Sequence, residues 1–586
     1  MRHTLALLFF PAFLSALTYD VTFLGLDDSA CVKALKNTSD LVLLQDRPPA
    51  SVNGLRYRAE SDLPGLLRVL QAYAYYDASV TYDIASENDR ANVYLLIRPG
   101  QQYTLASYQV FHGTCKEPAN ITGCFPFSPE RLGLQINKPP LSFDIVNAEF
   151  QVLTELSRCG YPLASIEKRK VEVDLAKKEV SAAVCIEEGP QAKFGPTKMH
   201  GLEHIHPRYI ERRIAWKEGT IYDSDLVEET QKRLLKTGLF TSAMVTHDQE
   251  IDTIGELPMT MRLTEAKHRQ LTLGVFYGTV DGFGGSFAWT HRNLRGMGEI
   301  LTIDGQFSQW WLLGKITFKK PDFLIPDQAY RALAAVYRES INPYVAFSYR
   351  FANYVERPFN TKDSFSVGLK IDHIHVFDSA TNGTYLLIGL PVFVKHDKSD
   401  SVLDPTRGYS LIYSITPYQS MFHSNQHFFK QRFTATWYLP VTSSRVLVLA
   451  FRAQFGSIAA AHQANVPLPK LFLGGSENEL RGYRYKTVSP LNSNNEPLGG
   501  RSAIYFSFEP RIRFSKTIGV VPFADFGTVT SEQFPQFNTK WYKSVGVGVR
   551  YFAFFGPLRF DVGFPLDRRK GIDEWYRIYA TVGQTF

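Results

Sequence analysis

The sequence predicts α+β repeats followed by an all-β transmembrane barrel of 16 antiparallel strands, and three observations carry that prediction. A unit ordered strand, helix, helix, strand, strand recurs three times between residue 19 and about residue 266. From Lys267 to Phe586 helical period is scarce, and alternating segments are separated by Gly, Asn, Asp and Pro. Beyond the N-terminus, no stretch approaches the roughly 18 uninterrupted apolar residues of a membrane helix. A chain without such a helix crosses a bilayer only by pairing its backbone strand to strand in a closed cylinder.

The first residues read as an export signal, residues 1–18. Arg2 gives a positive start, Leu5 to Leu14 an apolar core too short to span a bilayer, and Ser15, Ala16 and Thr18 the small residues near a cleavage point. An apolar first strand is the other reading; the order of charge and then apolar core favours the signal.

The repeats are expected at residues 19–102, 103–190 and 191–266. Their helix-to-strand corners align: Ala74-Tyr75-Tyr76-Asp77-Ala78-Ser79-Val80 resembles Gly160-Tyr161-Pro162-Leu163-Ala164-Ser165-Ile166, with a looser copy at Gly238-Leu239-Phe240-Thr241-Ser242. Val93 to Ile97 leads to Pro99-Gly100, and Ala182 to Ile186 leads to Glu187-Glu188-Gly189. The next strand then ends at Gly113 or Gly201. In the third unit Leu226, Thr230, Arg233, Leu234 and Thr237 share a helical spacing, capped by Ser224 or Asp223 and ended by Gly238. A small sheet with two helices on one face leaves a strand edge bare, and a bare edge accepts an extended peptide.

All five cysteines, Cys31, Cys115, Cys124, Cys159 and Cys185, lie in the first third of the chain. Export permits oxidation. Cys115–Cys124 could staple a loop and Cys159–Cys185 could join neighbouring elements, but spacing decides neither, and small buried thiols are equally open.

Residues 267–586 contain the alternating segments Gln270–Tyr277, Ser364–Ile371, Phe429–Tyr438, Leu447–Phe455 and Leu558–Phe564. At about 20 residues per strand and turn, this length makes about 16 strands, whereas a soluble sandwich so long would divide in two. The chain's 43 Phe and 30 Tyr suit strands and membrane interfaces. Its net charge of +7 is small for 586 residues and no long basic run occurs, so nucleic acid is not an expected partner.

Motifs in the second half follow one another in a specific order. They are His291-Arg292-Asn293-Leu294-Arg295-Gly296-Met297-Gly298-Glu299, Phe318-Lys319-Lys320-Pro321-Asp322-Phe323, Leu403-Asp404-Pro405-Thr406-Arg407-Gly408-Tyr409, Leu480-Arg481-Gly482-Tyr483 and Phe523-Ala524-Asp525-Phe526-Gly527. The chain then ends with Gly556-Pro557-Leu558-Arg559 through Val582-Gly583-Gln584-Thr585-Phe586. This series resembles the BamA/TamA superfamily of outer-membrane assembly and secretion barrels. Three repeats, which the resemblance makes periplasmic POTRA domains, match TamA best.

The resemblance implies three sets of site residues. The first is a lock at the tip of the long sixth loop: Arg481 pairs with Asp525, Glu509 is a further acceptor, Gly482 permits the turn and Tyr483 packs on the wall. A planar guanidinium can grip a carboxylate with two parallel bonds, which lysine cannot. The second is the strand-opening motif Asp404, Pro405, Arg407, Gly408 and Tyr409. The third is a lateral seam between the first strand and the last, about Tyr576 to Phe586, marked by Gly274, Phe276, Gly583 and Phe586. Closing a cylinder requires these two strands to pair, and glycines lower the packing there. Phe586 is also the terminal aromatic that marks such chains for assembly; an interfacial anchor is the alternative.

The implied function is that of an outer-membrane insertase or translocase subunit. It would assemble or secrete β-barrel and autotransporter-type proteins by templating strands at the seam, without enzyme chemistry. The implied partners are outer-membrane lipid, unfolded clients at the POTRA edges and a TamB-like periplasm-spanning protein. Two alternatives share the barrel: a two-partner-secretion pore exporting a dedicated partner, and a passive porin.

No catalytic motif, cofactor or metal is expected. His200, His204 and His206 fit no standard metal spacing. Asp397, Asp400 and Asp404 lack the EF-hand spacing and its closing glutamate.

Overall fold

The computed structural model describes residues 17–586 apart from 88–89, 114, 120–126, 279–281, 342, 361, 378, 380–381, 423–425, 443–445, 554–555, 583 and 585. The expected signal through Ala16, together with Cys124 and Gly583, therefore lies outside the described residues, as does the Phe276 side chain. Two compact units are formed, one of Met1–His200, Ile214–Arg233 and Met244–Arg262, the other of Gly201–Arg213, Leu234–Ala243 and Leu263–Phe586.

The first repeat runs β1 (Thr18–Leu24), α1 (Ser29–Thr38), α2 (Asp40–Leu43), α3 (Val52–Ala72), β2 (Ser79–Glu87) and β3 (Arg90–Arg98). The second runs β4 (Thr104–His112), α4 (Ser142–Arg158), β5 (Ser165–Asp174) and β6 (Glu179–Glu187). The third runs β7 (Lys193–His200), α5 (Pro207–Glu211), α6 (Ser224–Lys236), β8 (Phe240–His247) and β9 (Glu256–Glu265). Each makes a three-stranded sheet with its last strand in the middle, ordered β1-β3-β2, β4-β6-β5 and β7-β9-β8. The outer first strand pairs parallel with the middle one, as β1 does with β3, because the intervening helices provide the crossover that a parallel pair needs. In the first repeat Leu35, Leu55, Leu66 and Leu70 of the helices pack on Val93, Leu95 and Ile97.

A glycine follows the first strand of every repeat: Gly25, Gly113 and Gly201, all with positive φ. A Cβ at Gly25 would fall 2.2 Å from the Ile97 carbonyl oxygen, and one at Gly201 2.0 Å from that of Leu263. Only a residue without a side chain lets the strand leave there. The second repeat departs from the expected two helices: among the described residues it has α4 alone. Pro129, Pro139 and Pro140 remove amide donors before it, so the backbone preceding α4 cannot continue a helical ladder. At α6 the cap is Asp223, whose carboxylate accepts the Asp225 amide at 2.9 Å.

Cys115 is joined to Cys185, 70 positions further along the chain, with Cα atoms 5.3 Å apart. Neither sequence-based pairing contained this bond. The parallel β4–β6 register sets Phe111 beside Cys185 and brings the loop after β4 to β6. Cys159 is also disulfide-bonded. Cys31 is the free, fully buried thiol among the described residues. Burial, with Asp28 nearby, pushes its pKa up to about 11. Only about one thiol in a thousand would then be ionised at pH 8. Maleimide labelling of Cys31 should therefore be much slower in the native protein than in urea, and equal rates in the two would contradict this placement.

The remainder is one antiparallel sheet. Its strands are β10 (Arg269–Gly278), β11 (Gly282–His291), β12 (Ile300–Ser308), β13 (Trp311–Lys320), β14 (Ala329–Ile341), β15 (Tyr344–Pro358) and β16 (Ser364–Phe377). Next come β17 (Gly383–Gly389), β18 (Val392–Asp397), β19 (Gly408–Ser420), β20 (His427–Pro440) and β21 (Leu447–Ala460). Last are β22 (Ser502–Arg513), β23 (Ile518–Thr530), β24 (Tyr542–Ala553), β25 (Gly556–Pro565) and β26 (Arg577–Val582). Neighbours follow sequence order throughout the 17 segments. β17 and β18 both pair with β16 and β19, lying end to end, so the segments fill the 16 expected positions. The break falls at Leu390-Pro391, where proline has no amide to give the ladder.

The wall is apolar outside and polar inside. On β24, Val545, Val547 and Val549 are 40, 46 and 49% exposed, while Ser544 and Arg550 are 1 and 0% exposed. Phe451 faces out beside inward Arg452. No water-soluble core is built this way round; a lipid-facing cylinder is.

Candidate functional site: a locked loop and a seam

The segment 461–501 between β21 and β22 fills the interior of the sheet. Phe472, Leu480, Tyr483 and Val488 pack among Tyr344, Ile374, Leu387 and Phe428 of the wall. Ion pairs hold it at separate points. Lys470 Nζ lies 2.6 Å from Asp372 Oδ2, and Arg350 Nε is 2.6 Å from the other oxygen of that buried carboxylate. Lys486 Nζ donates to Glu339 at 2.6 Å.

Arg481 is the centre. It is fully buried and bonds Asp525 through Nε and Nη2, both at 2.8 Å, and through its own amide at 3.1 Å. Nη1 reaches Glu509 at 2.8 Å and Asp561 at 3.1 Å. The guanidinium lies 3.5 Å over the Phe523 ring. Gly482 has φ +90°, and a Cβ there would sit 3.0 Å from the Pro565 amide nitrogen, so the loop tip presses on bare β25 backbone. The Gly482 amide donates to Tyr579 OH at 2.8 Å, and Tyr483 OH donates to the Lys543 carbonyl at 2.7 Å. The structure thus brings Arg481, Gly482, Tyr483, Asp525 and Glu509 together.

Sequence reasoning missed the rest of the network. Asp561 binds Arg550 at 2.5 Å and Arg559 at 2.8 Å, and Glu509 binds Arg511 at 3.1 Å. The signal was present: Arg559 and Asp561, like Glu509 and Arg511, stand two apart on strands whose alternate residues are apolar. Charges at that spacing share one face, and in a lipid-facing strand it is the inner face.

The strand-opening motif forms the turn before β19. Asp404 pairs with Arg513, and the Pro405 carbonyl accepts from Arg511 at 3.4 Å. Gly408 has φ +104°, where a Cβ would meet the Lys398 carbonyl oxygen at 2.2 Å. Arg407 is exposed, and the Tyr409 ring lies 5.7 Å from that of His396. The three aspartates of this region turn to separate partners: Asp397 to Ser399, Asp400 to Thr406, Asp404 to Arg513.

At the seam the expectation needs correction. The last strand ends at Val582 rather than Phe586. Gln584 donates to Asp404 at 3.0 Å and accepts from Arg550 at 2.9 Å, while Arg511 donates to the Phe586 carbonyl at 2.7 Å. Phe586 packs beside Tyr438, Val448 and Ala450, with Arg452 4.5 Å over its ring. Charge-assisted bonds to interior arginines draw the tail inward, so Phe586 is neither in the seam nor at an interface. Among the described residues β10 and β26 share no hydrogen-bonded register. Gly274 faces Ser286 of β11.

A family model described as the Omp85 superfamily domain matches residues 293–586. The chain is 22% identical over 466 residues to the outer membrane protein assembly factor BamA of Nitratidesulfovibrio vulgaris, spanning 76% of this chain and 58% of that protein. It is 21% identical to the protein of the same name from Neisseria meningitidis, over 74% of this chain and 62% of the other. The chain thus spans about three fifths of these relatives. BamA from Haemophilus ducreyi lacking POTRA domains 1–3 superposes with a TM-score of 0.68 at 16% identity, covering 81% of this chain and 99% of that one.

Proposed function

The chain belongs to the Omp85 superfamily, and from that premise we propose that it is an outer-membrane insertase that assembles β-barrel proteins at its lateral seam. Its place is the bacterial outer membrane, with the three POTRA repeats in the periplasm. The observation that carries the mechanism is the seam itself. β26 keeps six residues of strand, Gln584 and Phe586 beyond it turn to interior arginines, and among the described residues β10 has no strand paired to its other edge. An incoming strand can borrow such an edge, add its own neighbours, and leave into lipid without any covalent step. The free edges of the three small sheets supply the same kind of docking for unfolded clients on the way in. Autotransporter-type clients and a TamB-like partner at the first repeat extend this reading. The filled interior argues against a passive porin, whose lumen must stay open.

Reconstituted in liposomes, the full chain is expected to speed insertion of a urea-denatured outer-membrane barrel, scored by the client's heat-modifiable gel mobility. Cysteines introduced on β10 and β26 and joined by oxidation should abolish the effect, while each single-cysteine variant keeps it. An oxidised double variant as active as the single ones removes the seam from the mechanism. No acceleration by the unmodified chain removes the assembly function.

A further inference from the structure

One cluster of ligand-type side chains takes no part in the lock or the seam. His204 lies between β7 and α5, Glu265 ends β9, and His268 stands in the linker to β10. Glu265 Oε1 accepts three consecutive backbone amides, from Glu203, His204 and Ile205, at 2.9, 3.0 and 2.9 Å. This fixes the carboxylate and presents Oε2 to two imidazoles: His204 Nδ1 is 3.4 Å away and His268 Nε2 is 3.5 Å away. The Glu265 and His268 side chains are only 7 and 12% exposed. Both Glu265 Oε2 and His268 Nε2 are buried without a hydrogen-bond partner among the described residues. A buried polar atom left so is destabilising, and more so when charged. A histidine merely ion-paired to the carboxylate would close to about 2.8 Å.

We propose that His204, Glu265 and His268 form a divalent-metal site suited to Zn²⁺. Metal–ligand bonds of about 2.0–2.1 Å at a tetrahedral angle set donor atoms roughly 3.4 Å apart, which the two contacts to Oε2 match. All three donors lie within 4.8 Å of one another. Two imidazoles and one carboxylate favour zinc over the all-oxygen cations calcium and magnesium. His204 and His268 line an open cleft of about 810 Å³ with His206, His291 and Asn293, which leaves room for water as the fourth ligand. The amides on Glu265 act as outer support, and so does the Asn293 side chain, which donates to the His204 carbonyl at 2.9 Å. A bound ion staples segments that lie 61 residues apart in sequence at His204 and Glu265.

The test uses the tag-free full-length chain in detergent, stripped with a chelator. Calorimetric titration should show one Zn²⁺ per chain, and Co²⁺ should give the visible bands of tetrahedral coordination. The double variant His204→Ala/His268→Ala should bind about 100-fold more weakly or worse, since even outer-shell changes cost 10–100-fold. Glu265→Gln, which leaves an oxygen for the three amides, should also lose at least about tenfold. His200→Ala should bind as the parent does. Heat-modifiable mobility of the barrel reports whether each variant is folded. Failure of the parent to take up stoichiometric Zn²⁺, or a folded Glu265→Gln chain that binds as tightly as the parent, overturns the site.

Discussion

Replacing Arg481 with alanine should destabilise the folded barrel by about 3–5 kcal/mol, the range for removing one partner of a buried ion pair. The size follows from what remains. Glu509, Asp525 and Asp561 are all buried, and Arg481 binds each of them. Arg511, Arg550 and Arg559 keep partial claims on Glu509 and Asp561, but Asp525 loses both of its guanidinium bonds and the bond from the loop amide is freed to move. Arg481→Lys should fall close to alanine, because one ammonium cannot reproduce a planar fork shared among three carboxylates. Two measurements check this: the temperature at which the barrel loses its compact gel mobility, and ion conductance in planar bilayers. The first should fall and the second should rise as the tip of segment 461–501 comes loose. A lysine variant as stable and as closed as the parent would mean that charge alone, not fork geometry, holds the tip.

The second large effect is expected at the far anchor. Asp372 is fully buried and holds both Lys470 of the loop and Arg350 of β15. Asp372→Ala leaves two cations facing each other in the lumen and should cost about 3–5 kcal/mol, less where water enters. Lys470→Met should cost clearly less, because Arg350 still satisfies the aspartate and a flexible apolar chain can fill the space. The order of the two variants, more than either size, is the test. If Lys470→Met proves the more damaging, the anchor works by packing rather than by charge. Client assembly measured on the same proteins would show whether the plug must be held at both ends for the seam to work.

Much of this site was legible from the chain. Arg481 and Asp525 were recognisable because each stands inside a short motif in a fixed order, and the fold joins the two, with Glu509 as a further acceptor. Asp561 was not, although it lies in a segment read correctly as a strand. Nothing local tells whether an inward carboxylate meets a loop, a neighbouring strand or water. The Lys470–Asp372 contact joins residues 98 apart, and alternation places Asp372 on the inner face without saying what crosses the lumen to meet it. The same limit hid the histidine–glutamate cluster. Spacing along the chain grouped His204 with His200 and His206, whereas the fold groups it with Glu265 and His268.

The sequence by itself determined the repeated small sheets, the change to period two at Lys267 and the number of positions in the wall. These follow from local periodicity, since every second residue of a strand shares a face and every turn needs its own glycine, proline or aspartate. The tertiary structure alone decided the Cys115–Cys185 bond, the inward turn of Phe586 and the partners of the interior charges. Each of those depends on which distant groups compete for one buried charge or one backbone group. That competition is settled by geometry across the lumen or the sheet, where separation in sequence has no bearing on distance.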